Sequence, residues 1–165
     1  MGEVEEPRWL NEDEQEAWTA LASVLLTLPG ALDAQLQADS GLTFYEYLVL
    51  SGLTYAPEDT MRLRDLALVT NGSQSRLSQV ATKLERRGWL VRHPDPDDGR
   101  TTLATLTPAG RELVGQAAPG HVEMVRRLIL DPLTAAQVRQ MREINRRISG
   151  AITPGGSALF RAHGV

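Results

Sequence analysis

Cysteine is absent from the 165 residues, which excludes disulfide staples, thiolate metal ligands and redox sensing through a thiol. Lysine is nearly absent: Lys83 stands alone against sixteen arginines, a compositional habit of high-GC genomes. No run of about eighteen apolar residues is present, nor a charged-then-apolar N-terminus with a small-residue cleavage site. The sequence therefore predicts neither a membrane span nor a signal peptide, and a cytoplasmic protein. No nucleophile has an adjacent histidine, no Gly-rich loop suits a phosphate, and no Glu-x-x-His occurs, so no enzymatic activity is expected. His93, His121 and His163 are isolated from other ligand-type residues, so neither a metal nor another cofactor is expected. Internal repeats and low-complexity segments are also missing. The Asn71-Gly72-Ser73 sequon reads as a turn.

What is present is enough apolar content, 42%, for one domain with a real core, or for a small domain with oligomerising arms. The net charge of −4 argues at first against a polyanionic partner, but the charge is segregated. Residues 1–60 hold twelve acids and one arginine, residues 61–100 eight cations and five acids, and residues 101–165 eight arginines and four acids. Phosphate responds to the field within a Debye length, about 8–10 Å at ordinary salt, so a basic face on an acidic chain remains able to bind DNA. Charge segregation for solubility alone is the competing explanation.

Taken in order, the first ten residues are expected to be loose. A helix starts after Asn11, whose capping box is completed by Glu14, and its stripe of Ala17, Leu21, Val24, Leu25, Leu28 and Leu32 is expected to be kinked at Pro29-Gly30. A second helix spans Thr43 to Tyr55, and Ala56-Pro57-Glu58-Asp59 is a loop. A short helix lies near Arg64 to Val69, and the Thr70-Asn71-Gly72 turn leads into a helix capped by Ser73 and ended by Gly88. Asn-Gly is also a hairpin signal, but both flanks carry helical periodicity. Trp89–Arg92 and Thr101–Thr107 are β-rich and joined by a connection dense in turn formers, which gives a two-stranded ribbon. Thr107 caps a helix with Pro108 in its first turn; this helix is expected to break at Pro119-Gly120 and resume. The last helix starts at Thr134, and Pro154-Gly155-Gly156 marks a frayed tail.

The helix after Ser73 is the centre of the pattern. Leu77, Val80, Ala81 and Leu84 form its apolar stripe, while Ser75, Ser78, Gln79, Thr82 and Arg86 collect on the opposite face with Arg76 and Lys83 on a flank. That face offers hydroxyls, an amide and cations but no carboxylate, a composition that suits duplex DNA. The fold class is mainly α (α+β), a winged helix-turn-helix.

Five segments then narrow the field: Leu63-Arg64-Asp65-Leu66-Ala67, Ser75-Arg76-Leu77-Ser78, Leu84 to Arg92, Asp95 to Arg100, and Leu106-Thr107-Pro108-Ala109-Gly110. Together they closely resemble the signature of MarR-family transcriptional regulators. The resemblance implies a homodimer in which N- and C-terminal helices interlock. Such a dimer binds pseudo-palindromic duplex DNA and responds to small, often aromatic and anionic ligands. On this frame 1–165 is one domain, with dimerisation helices at 11–40 and 108–150, a winged DNA-binding region at 41–107, and loose termini at 1–10 and 151–165. The terminal apolar stripes exceed what a winged domain of about seventy residues needs, so a second copy is a reasonable recipient, a larger monomeric core being the alternative.

Gln74, Ser75, Arg76, Ser78 and Gln79 are the candidates for base edges in a major groove, a solvated helix face being the plainer reading. Lys83, Arg86, Arg87 and Arg92 are candidates for phosphate contact or electrostatic steering, Arg87 equally for the base of the wing. Asp95, Asp97 and Asp98 are the wrong sign for a polyanion. The family resemblance implies a reason: Asp98 holds Arg100, and Arg100 enters the minor groove, whose narrow A·T-rich stretches attract arginine. Trp18, Tyr47, Tyr55, His121 and Met124 lie on helices flanking the family's usual ligand pocket, although such residues commonly only pack. Two functions stay open: a ligand-responsive operator-binding dimer that represses transcription, or a winged-helix protein used as a ligand- or protein-binding module.

Overall fold

The computed structural model describes residues 6–152, so the expected frayed tail at Pro154-Gly155-Gly156 lies outside the described residues. Two compact units are present, Met1–Ala31 and Leu32–Val165.

The first unit contains the start of helix α1 (Glu12–Ser40), and the capping box is formed there. The Asn11 amide donates to Glu14 Oε2 (3.0 Å) and the Glu14 amide to Asn11 Oδ1 (2.9 Å). The helix runs on through Pro29, so the pair Pro29-Gly30 does not end it. A proline forfeits one backbone bond, and the flanking turns carry the helix past that loss. Contrary to the sequence expectation, α1 contains an 18-residue stretch of mean hydropathy 1.3, apolar enough by length and composition to cross a membrane. Val24, Leu25 and Leu26 are exposed on it.

In the second unit the end of α1 is stitched to helix α2 (Phe44–Thr54), since the Phe44 amide donates to Asp33 Oδ1 at 2.8 Å. Thr43 and Glu46 close a capping box at the start of α2. A 3-10 turn, Pro57–Asp59, delivers the chain to strand β1 (Thr60–Arg62) and then to helix α3 (Leu63–Val69). Helix α4 (Gln74–Arg86) follows, then strands β2 (Leu90–Pro94) and β3 (Thr102–Leu106). The expected two-stranded ribbon is therefore an antiparallel sheet of three strands, in the order β1-β3-β2, with Met61 and Arg92 both opposite Ala104. Three residues are too few to show alternation, and β1 is held by pairing that sequence does not display. Its Thr60 Oγ1 lies 2.8 Å from Thr105 Oγ1 across the ladder.

Helix α5 (Pro108–Val125) continues into a π-helical stretch, Arg126–Leu130, before helix α6 (Ala135–Ile152). The expected break at Pro119-Gly120 is not there. Gly120 instead permits a close approach to α1: a Cβ at this position would lie 2.7 Å from Asp39 Oδ2 and 3.1 Å from Gln35 Nε2. The irregularity sits about two to three turns later, in the π-helical stretch. Leu36, Leu50, Leu53, Leu66, Leu77, Leu84, Leu90 and Ala104 form the centre of the core, so the α4 stripe faces inward as its spacing requires.

Candidate nucleic-acid interface

Helix α4 is positioned by devices at both ends. At its start Asn71 adopts φ 50° and Ser73 Oγ accepts the Arg76 amide at 3.1 Å. Within the Asn-Gly pair it is Asn71, not Gly72, that takes the left-handed conformation. Gly72 is needed for space, since a Cβ there would lie 1.9 Å from Tyr45 Oη. At the other end Gly88 takes φ 75°, its amide reaches Glu85 O (2.9 Å) and the Trp89 amide reaches Leu84 O (3.1 Å). That is the Schellman arrangement, and it turns the chain directly into β2.

Gln74, Ser75, Arg76, Ser78 and Gln79 are all exposed on α4. A recess of about 260 Å³ separates the start of α4 from the wing, and it brings Gln74 and Ser78 together with Arg100, Thr101 and Arg64. Arg64, Thr101 and Thr102 were not singled out by the sequence; only the fold brings α3 and β3 to the edge of α4. Arg86 and Arg100 are exposed and, among the described residues, their guanidinium groups form no ion pair. Arg87 lies over the Trp89 ring at 5.0 Å, at the base of the wing.

Two of the expected phosphate contacts are committed elsewhere. Arg92 is clamped by Glu85, Nη2 to Oε2 at 2.7 Å and Nε to Oε2 at 3.0 Å, while its amide donates to Oε1 at 2.8 Å. The Arg92 side chain holds the Glu85 carboxyl below the usual carboxylate range. Lys83 Nζ lies 2.5 Å from Oε1 of Glu46, a carboxylate only 2% exposed. Both cations therefore brace α4, one against the wing and one against α2.

The acidic tip resolves in the same way. Asp95 points inward, 6% exposed, with Oδ2 2.9 Å from Arg62 Nη2 and Oδ1 accepting the Asp97 amide at 3.0 Å. The Asp97 amide, and after it the Arg62 guanidinium, outweigh burial and keep this carboxyl below its ordinary range. Asp98 does not pair with the Arg100 guanidinium. Its Oδ1 accepts the Arg100 backbone amide (3.1 Å) and its Oδ2 the Thr101 hydroxyl (2.9 Å). A short side chain two residues earlier reaches a backbone amide more readily than the end of an arginine. Asp98 thus shapes the turn and leaves the Arg100 side chain unpaired. Asp98→Ala is still expected to weaken duplex binding, now by loosening the tip, although it removes a negative charge; tighter binding in a mobility-shift titration would exclude this.

Of the ligand candidates, Tyr47 and His121 meet, with ring centroids 4.7 Å apart, and Phe44 adds a second ring 5.9 Å from His121. Burial first, and then Tyr55, raise the Tyr47 phenol, while burial lowers the His121 imidazole. His121 is thus packed within a continuous helix and does not stand at a break open to anions. Among the described residues its Nδ1 is buried without a hydrogen-bond partner, as is Gln35 Oε1. Phe44, Gln35 and Asp39 were not anticipated, for their roles arise from helix crossing. Met124 Sδ lies 3.1 Å from Arg127 Nη2, Tyr55 is 60% exposed, and Trp18, 53% exposed, belongs to the first unit.

Comparison with known proteins agrees with this geometry. A family model described as MarR family matches residues 40–101. The crystal structure of Sco3205, a MarR family transcriptional regulator from Streptomyces coelicolor in complex with DNA, is 36% identical with a TM-score of 0.87. The match covers 94% of this chain and 97% of that one. CouR from Rhodococcus jostii RHA1, solved bound to p-coumaroyl-CoA, is 26% identical at TM-score 0.70, over 81% of this chain and 91% of CouR. The HTH-type regulator YkoM of Bacillus subtilis (strain 168), itself uncharacterized, is 33% identical over 90 residues. The chain spans only 56% of YkoM, and the matched stretch is 54% of this chain. With one third of its residues shared along nearly the whole length of Sco3205, and with the same winged fold, the chain belongs to the MarR family of transcriptional regulators.

Proposed function

We propose that the protein is a cytoplasmic transcriptional repressor that binds a pseudo-palindromic operator as a homodimer and releases it when a small aromatic or anionic effector binds. The observation that carries this reading is the carboxylate-free outer face of α4, exposed beside a recess that also admits Arg100 and Arg64. Base-edge contact is assigned to Gln74, Ser75, Arg76, Ser78 and Gln79, phosphate contact to Arg86 and minor-groove contact to Arg100. Lys83 and Arg92 act as braces. The DNA complex of Sco3205 supports the duplex partner.

Residues 11–40 and 108–150 are assigned to dimerisation and 41–107 to DNA binding. Support comes from exposed apolar side chains: Leu25 and Leu26 on α1, Val122 on α5, and Ile144, Ile148 and Ile152 on α6. A second copy would remove them from water, and this assigns the apolar stretch of α1 to a protein partner and not to a membrane. The ligand-bound state of CouR supports an effector, assigned here to the Tyr47–His121 contact.

The test is duplex binding by the full chain across a salt series. With six or more phosphates neutralised, log K is expected to fall against log salt with a slope of about −5 or steeper. The absence of any shift at low salt, on DNA upstream of its own gene and on a randomised library, would favour the winged-helix binding module, with the acidic residues 1–60 as its working surface.

A further inference from the structure

We propose that Tyr45 is the positioning residue that gives helix α4 its sequence discrimination, by holding the Arg76 guanidinium in place before DNA arrives. This rests on the DNA-binding reading above. Tyr45 sits on α2 and is only 8% exposed. Its hydroxyl lies 3.2 Å from Thr70 Oγ1. Thr70 Oγ1 already donates to Leu66 O at 2.8 Å, so the phenol is the donor between them. Gly72 closes the other side, for any Cβ there would meet Tyr45 Oη and, at 2.8 Å, Cζ. The helix-turn-helix turn and the ring therefore fix one another.

The Arg76 Cζ lies over that ring, 3.9 Å from its centroid, and the Arg76 backbone is pinned by the Ser73 cap. A guanidinium on an aromatic ring engages it through its π-cation character, while its donors lie in the guanidinium plane. Among the described residues no acceptor takes a hydrogen bond from the Arg76 side chain. The result is a planar fork, held at its backbone and at its head, with unspent donors at the N-terminal end of the helix that enters a major groove. None of Gln74, Ser75, Ser78 or Gln79 has a comparable side-chain support among the described contacts. A recognition group discriminates best when its geometry is set by a supporting shell, and Tyr45 supplies that shell for one residue only.

The experiment first selects a binding site for the full-length wild type from a randomised duplex library. It then finds the base position whose preference disappears in Arg76→Ala. At that position the wild type is expected to prefer its base by roughly tenfold or more. Tyr45→Phe, which keeps the ring, should retain the preference; Tyr45→Leu should lose most of it while keeping the salt slope and the circular dichroism of the wild type. A retained preference in Tyr45→Leu, or a lost one in Tyr45→Phe, overturns the proposal. Should Tyr45→Leu fail to fold, the Arg76 side-chain Nε–H signal of the wild type decides: a ring-current shift, kept in Tyr45→Phe, supports the stack, and an unshifted signal overturns it. If the wild type selects no site, the DNA-binding reading falls and this proposal with it. If it selects a site that Arg76→Ala reads equally well, only this proposal falls.

Discussion

Gly110→Ala is expected to lower the free energy of unfolding by about 3 kcal/mol, near the upper end of the cost of inserting one carbon into a packed core. Gly110 lies in the first turn of α5, buried against the start of β2. A Cβ there would stand 2.0 Å from the Trp89 carbonyl oxygen and 2.8 Å from Leu106 Cδ1. The first of these is backbone and has no rotamer by which to move aside. That carbonyl also accepts the Thr107 amide at 3.1 Å, and Thr107 Oγ1 both donates to Gly88 O (2.7 Å) and accepts the Gly110 amide (3.0 Å). One methyl group thus presses on the junction that joins the end of α4, the base of the wing and the start of α5. Gly115→Ala is the control, because its Cβ meets nothing within 4 Å in the chain. It should gain up to about 1 kcal/mol from helix propensity. Denaturant titration of both variants checks this, and equal stability would mean that the junction relaxes at little cost.

Lys83→Met is expected to cost about 2–3 kcal/mol of stability, somewhat less than the 3–5 kcal/mol typical of breaking a fully buried ion pair. The discount follows from exposure: the Lys83 side chain is 42% exposed and partly screened by water, whereas Glu46 is 2% exposed. Without Lys83 the Glu46 carboxylate keeps, among the described residues, only the Thr43 amide, 2.9 Å from Oε2. Glu46→Gln in the same chain should recover part of the loss, since glutamine can still serve the capping box and brings no charge. The variant also separates two roles for Lys83. As a brace it should lower stability and leave the salt slope of DNA binding unchanged. As a phosphate contact it should reduce the slope by about 0.9 per copy bound and leave stability intact. Denaturation and salt-series titration on one preparation distinguish them.

Tyr45, Glu46 and Tyr47 are consecutive on α2, yet they reach Arg76, Lys83 and His121 respectively. Nothing in the spacing of three neighbours on a short helix reveals that two support the recognition helix and the third packs against α5. By contrast, the Asn11, Ser73 and Thr107 caps were legible because each is completed within three residues. The α4 stripe was legible for a similar reason, since periodicity is a property of the segment itself. Pro119 misled because a local rule against proline is overridden when the turns on either side remain helical.

The sequence by itself determined the order of the helices and wing, the inward and outward faces of α4, and the family, because caps, periodicity and turn residues act over a few positions. It also determined that the outer face of α4 carries no carboxylate. Only the tertiary structure decided which charges on that surface are free. Glu85 with Arg92, Glu46 with Lys83 and Asp95 with Arg62 are separated by 7, 37 and 33 positions, and each cation is committed by a carboxylate that another element delivers. Charge is written in the chain, but whether it is already satisfied depends on distances of about 3 Å that only packing sets.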